Sequence, residues 1–161
     1  MRIYKDYVRS SVFGFEDALV STTGVIVGIA TGTSNKQFII LAAFVTIAVE
    51  AVSMAAGQFL SERTLHQMQK GKHRDSLSVG SYIMFLSYFL GGIIPAIPIL
   101  FLPLPVALIP TIILAFLGLF VLGFVKGKMV KVAPTRSAFE MLLIGGLASV
   151  IGIIAGYFLR T

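Results

Sequence analysis

Residues 76–125 read SLSVGSYIMFLSYFLGGIIPAIPILFLPLPVALIPTIILAFLGLFVLGFV, fifty positions without a Lys, Arg, Asp or Glu. A water-soluble fold of a chain this short cannot bury such a run, because small domains leave a large share of their surface exposed. A membrane span takes roughly 20 mostly apolar residues, so the run holds two spans and a break. Prolines place the break. Pro95, Pro98, Pro103, Pro105 and Pro110 fall within 16 positions. Each lacks the N–H a helix interior needs, and its ring restrains the residue before it. Leu102-Pro103-Leu104-Pro105 reads as the turn, and Pro110 fits either the first turn of the following helix or a kink in it.

The same reading extends outward. Residues 18–35 carry no charge, 37–61 carry only Glu50, and 141–159 carry none. Five spans are expected, at about 11–32, 38–61, 78–100, 106–125 and 138–159, with boundaries good to ~2–4 residues. The chain thus reads as one all-α transmembrane domain over residues 1–161. Its composition agrees: 57% apolar, 12% charged, mean hydropathy +0.93, against about 25% charge in soluble domains. Disorder needs the opposite balance. With no Cys there is no disulfide, thiolate metal site or Cys nucleophile, and with no Trp any aromatic belt falls to Tyr and Phe. The acids Glu16 and Asp17 in the first apolar segment argue against a cleaved signal peptide. No nucleophile–base pair, phosphate-cradling loop or zinc motif is present, so an enzyme is not expected.

Charge sets the expected orientation. Of thirteen cations, eleven fall before span one, between spans two and three, and between spans four and five; Lys36 and Arg160 lie on the other side. By the positive-inside rule the N-terminus is cytoplasmic and the C-terminus outside. The net charge of +6 then reads as topology and contact with anionic membrane lipid. Without a basic–aromatic face it does not read as nucleic-acid binding. In a prokaryote the expected location is the plasma (inner) membrane.

Acids inside lipid cost about 2.5–3.5 kcal/mol on insertion scales and are usually kept for use. Glu50 lies about 12 residues into its span, roughly 18 Å along the helix. Met54, Gly57 and Gln58 share its stripe, and Ser53 borders it. The competing reading is a protonated Glu50 bonded to a neighbouring helix, with Met54 as filler. On the first span, Ser21, Gly24 and Gly28 follow Asp17 along one narrow face, and Gly24, Gly28 and Gly32 permit close helix approach. Glu16 and Asp17 also read as acids at a helix start, favoured by its dipole; only the Gly/Ser stripe prefers Asp17. Glu140 reads as a partner of Arg136 at i−4. The last span carries a packing face of Ala148, Gly152 and Gly156. His66 and His73 read as solvated loop residues, with a metal pair as the rival. Carboxylates with a thioether suit a first-row divalent cation better than Mg²⁺ or Ca²⁺. A desolvated carboxylate also holds protons more tightly, so metal and proton compete.

Two stretches carry a resemblance. Val12-Phe-Gly14-Phe-Glu-Asp17-Ala-Leu-Val-Ser21-Thr-Thr-Gly24-Val-Ile-Val-Gly28 and Glu50-Ala-Val-Ser53-Met54-Ala-Ala-Gly57-Gln58-Phe59-Leu60-Ser61 resemble the paired motifs of the vacuolar iron transporter family, which includes nodulin-like proteins. The resemblance implies a homodimer of five-span chains, with a metal path lined by the first two spans. It implies export of Fe²⁺ from the cytoplasm coupled to protons, with Asp17, Glu50 and Met54 on the path. Ala18 stands where the family usually has glycine, and Gln58 where it usually has glutamate; Gln58 still offers a carbonyl oxygen but no proton. The connection 62–77 holds only Glu62 and Asp75 as acids, so the long Glu-rich insert of many members is absent.

The expected function is therefore export of Fe²⁺, with Mn²⁺ next, by proton antiport. Asp17, Glu50, Met54 and Gln58 are the metal ligands, Asp17 and Glu50 carry protons, and Gly24, Gly28, Gly32, Gly152 and Gly156 pack helices. No resident cofactor is expected. Two rivals remain: a membrane assembly or sensor protein whose polar residues only glue helices, and a proton-coupled carrier of a small organic cation.

Overall fold

The computed structural model describes residues 2–68 and 77–158, and these form five helices with no strand. They are α1 (Arg2–Gly32), α2 (Lys36–Met68), α3 (Leu77–Phe101), α4 (Leu108–Val130) and α5 (Pro134–Phe158). All five are long and apolar enough to cross a membrane. The long uncharged run is divided where its prolines crowd, in the turn 102–107. Pro110 lies in the first turn of α4 and Pro134 opens α5, the helical positions where a missing N–H is harmless. Pro95 and Pro98 stay inside α3, both buried, as neighbouring helices in a membrane allow.

The helices outrun the expected spans at the basic end. α1 begins at Arg2 and α2 continues to Met68. At 33 residues α2 is ~50 Å long, about 20 Å more than the hydrocarbon core. Hydropathy marks only the apolar stretch; the polar ends continue the same hydrogen-bond ladder into the headgroup layer. Two corrections follow. Asp17 is not at a helix start but halfway along α1, and Glu62 belongs to α2 rather than to a loop. At the other end, Asn35 caps α2 through a 3.1 Å bond from the Phe38 N–H to its side chain.

Among the described residues α1 touches all four other helices, while α2 touches only α1 and α3, and α5 only α1 and α4. The outer helices thus form an open C around α1, with its gap between α2 and α5. Close approach inside the bundle uses missing side chains. A Cβ on Gly92 of α3 would sit 2.8 Å from Ile47, and one on Gly28 of α1 would sit 2.8 Å from the carbonyl oxygen of Gly152 in α5. With no hydrophobic drive between helices in lipid, such backbone contact is the main source of packing energy. Outward faces are apolar, as Val49, Val52, Leu117, Val121, Leu147 and Ile151 show. The molecule is an integral, multi-pass membrane protein.

Candidate metal pathway

On α2 the small and branched residues Ile39, Ala43, Ile47 and Ala51 recur every four positions and are fully buried, which turns that stripe onto α1 and α3. Glu50 flanks it, half-buried. Its Oε2 accepts a short hydrogen bond from the hydroxyl of Tyr88 on α3. The Tyr88 oxygen lies 2.5 Å from Oγ of Ser21 on α1. Tyr88 has one proton to give, so with it on Glu50 Ser21 is the donor in the second bond. Asp17, one turn before Ser21 on α1, lies within electrostatic range of the same carboxylate. Met54 packs on the cluster of Ala18, Ala51 and Tyr88. Three helices therefore join Glu50, Tyr88 and Ser21 by hydrogen bonds near the helix midpoints, with Met54 packed beside them and Asp17 one turn away on α1.

The other expected residues fall elsewhere. Gln58 is one turn past Met54, and its amide donates to Oε1 of Glu62 at 3.1 Å. The same oxygen accepts from the Arg9 guanidinium of α1 at 2.9 Å. A side chain at Gly57 would meet open space. Glu16 lines a cleft of about 300 Å³ with Arg9 and Lys126. Glu140 pairs with Arg136 at 3.0 Å. His66 lies in the last turn of α2, and His73 lies outside the described residues. Among the described residues no three His, Cys, Asp or Glu converge as a metal cage.

Gly24, Gly28 and Gly32 face Ala148, Gly152 and Gly156 of α5. Along this seam runs a groove of about 600 Å³, from Ser21 past the glycines to Thr33 and Phe38 at the end opposite the basic one. Ser21 belongs to both the groove and the Glu50 cluster, so the groove begins beside it. The groove opens sideways through the gap between α2 and α5.

Sequence reasoning missed Tyr88, Arg9 and Glu62. Tyr88 left a faint signal: a tyrosine near the middle of a span, away from the interfaces where its hydroxyl would meet water. Arg9 and Glu62 are 53 positions apart, and nothing local links them.

A family profile described as the VIT family matches residues 8–79 and 66–157. Vacuolar iron transporter 1 of Arabidopsis thaliana is 34% identical over 70 residues, 43% of this chain and 28% of the relative. Vacuolar iron transporter homolog 2 of the same plant is 25% identical over 154 residues, 88% of this chain and 79% of the relative. The VIT-like transporter 1b of Glycine max is 22% identical over 163 residues, 88% and 71% of the two chains. The chain thus spans little more than a quarter of the first of these and most of the other two. The profile reaches from the start of the apolar part of α1 to the end of α5, and the chain belongs to the VIT family.

Proposed function

We propose that this protein carries a divalent first-row metal, Fe²⁺ ahead of Mn²⁺, out of the cytoplasm in exchange for protons. The observation that carries the reading is the meeting of Ser21, Glu50, Met54 and Tyr88 from three helices at mid-bundle, with Asp17 one turn away on α1. Carboxylate and hydroxyl oxygens serve Fe²⁺ and Mn²⁺, and a thioether adds softness that Mg²⁺ and Ca²⁺ do not use. Intramembrane acids are functional by default, and relatives named as vacuolar iron transporters point the same way.

In this mechanism the basic end faces the cytoplasm. Without metal, Glu50 is held by Tyr88, which Ser21 holds in turn. An arriving cation takes the carboxylates of Glu50 and Asp17 and displaces protons; protons returning from the far side displace the cation into the groove along Gly24, Gly28 and Gly32. Two carboxylates make an incomplete cage, and the groove is open on one side. A second copy seated over the gap between α2 and α5 would supply both the missing ligands and the missing wall, so the working form is a homodimer.

Fe²⁺ uptake into proteoliposomes, with and without a pH gradient, tests the reading. The parent takes up metal faster under a gradient; Asp17→Asn and Glu50→Gln do not. Equal uptake by parent and carboxylate variants would return these side chains to a packing role.

A further inference from the structure

α2 carries donors at a strict four-residue interval beyond Glu50: the thioether of Met54, the amide of Gln58 and the carboxylate of Glu62. Each step is ~6 Å along the helix and ~40° around it, so the series winds from mid-bundle to the basic end. Its last two members touch: Gln58 donates to Glu62 at 3.1 Å. Glu62 is only 4% exposed although it stands near the level where α2 leaves the hydrocarbon. The place beside it is already held by a cation. The guanidinium of Arg9 lies 2.9 Å from its Oε1, and the Arg9 side chain is 60% exposed, so it is anchored by one end only. Arg9 and Asp17 share α1, eight residues apart, ~12 Å along the axis. The Arg9–Glu62 contact therefore bridges the same two helices as the metal cluster, one level nearer the basic end.

We propose that Glu62 is an outer cation site of the pathway, loaded from the basic end, with Arg9 as a tethered counter-ion that an arriving divalent metal displaces. The proposal rests on the transport reading above. A carboxylate this buried needs a positive partner at all times. Arg9 is such a partner while the site is empty, and its exposed stem lets the guanidinium swing to water when a doubly charged ion takes its place. Gln58 then turns from donor to ligand by presenting its carbonyl oxygen, since its amide offers both groups. Met54 takes the ion one turn further, to Glu50. The arrangement explains a polar Gln58 whose partner lies below the Glu50 cluster rather than within it.

Initial rates of Fe²⁺ and Mn²⁺ uptake against metal concentration, in proteoliposomes of parent, Glu62→Gln, Arg9→Gln and the double variant, test this. Glu62→Gln raises KM about tenfold or more, as loss of a charge-assisted contact does, and leaves the maximal rate within about twofold, because Glu50 and Asp17 are intact. Arg9→Gln removes the competitor and lowers KM about two- to fivefold, the worth of a partly exposed ion pair. The double variant matches Glu62→Gln. Elution as one species and an unchanged thermal midpoint identify variants that fold. Should Glu62→Gln misfold, the fall in KM of Arg9→Gln decides alone. A parent that transports while both single variants keep its KM overturns the outer site and leaves the transport reading standing. A parent that moves no divalent metal under either gradient overturns both.

Discussion

α1 presents two faces that hold the molecule together by opposite means. Toward α2 and α3 it offers Ser21, which bonds Tyr88, the partner of Glu50, with Asp17 one turn away on the same helix. Toward α5 it offers Gly24, Gly28 and Gly32, which lie against Ala148, Gly152 and Gly156 with nothing between the backbones. In the first region the side chains are the structure; in the second their absence is. Both solve the lipid problem, where apolar contact between helices gains nothing over contact with acyl chains. Only the first holds groups that can change charge or bind an ion, so a substitution there should alter transport before it alters the fold. A substitution in the second should do the reverse.

The sharpest test of that contrast is Glu50→Gln. It keeps the shape and a hydrogen-bonding side chain for Tyr88 but removes the charge. Metal uptake should fall about 100-fold, in keeping with loss of a charged ligand, while the thermal midpoint in detergent stays within a few degrees. A variant that unfolds would merge the two regions into one.

The seam gives the converse. Gly28→Val places a Cβ 2.8 Å from the Gly152 carbonyl oxygen, closer than real Cβ contacts come. Overpacking of this kind costs about 1–3 kcal/mol or more. The thermal midpoint should fall by several degrees, and uptake should fall at least in proportion to folded protein, because the new side chain also narrows the groove. A variant with full stability and no transport would make the seam part of the moving machinery.

Tyr88→Phe separates the cluster's hydroxyl from its ring. The ring is fully buried and packs on Ala18, Ala51 and Met54, so the fold should persist. With its clamp gone, Glu50 should show an apparent metal affinity shifted about tenfold, the scale of one hydrogen bond to a charged group. Uptake at varied Fe²⁺ reads this directly, and an unchanged KM would reduce Tyr88 to packing.

Met54→Leu is the mildest change at the cluster. Its volume is kept, and such swaps cost less than about 1.5 kcal/mol. Fe²⁺ and Mn²⁺ uptake should both persist, with the preference for Fe²⁺ reduced a few-fold as the soft ligand is lost. A competition assay with both metals measures the ratio. The Arg136–Glu140 pair, by contrast, is exposed on both sides and should contribute at most ~0.5 kcal/mol.

Much of this was legible beforehand because it depends on local sums. The five helices follow from hydropathy accumulated over ~20 residues, and the break at 102–107 from prolines that lack an N–H. Glu50 announced itself as a lone acid in an apolar run. Choosing between Asp17 and Glu16 needs the direction of each side chain around α1, which hydropathy does not carry; Glu16 lines the cleft with Arg9 and Lys126. The length of α2 past residue 61 was hidden because polar helix and polar loop have the same hydropathy. Glu62 therefore looked like a solvated loop acid, although it is 4% exposed and paired with Arg9.

By itself the amino-acid sequence determined that the chain lives in a membrane, how many times it can cross, and where the crossings turn. Each of these is a free energy of transferring a short segment, settled before any helix meets another. The partners of Glu50, the pairing of Arg9 with Glu62 and the glycine seam between α1 and α5 were decided only when the helices packed. Rotation and crossing angle depend on all the neighbours at once, and no single segment carries that information.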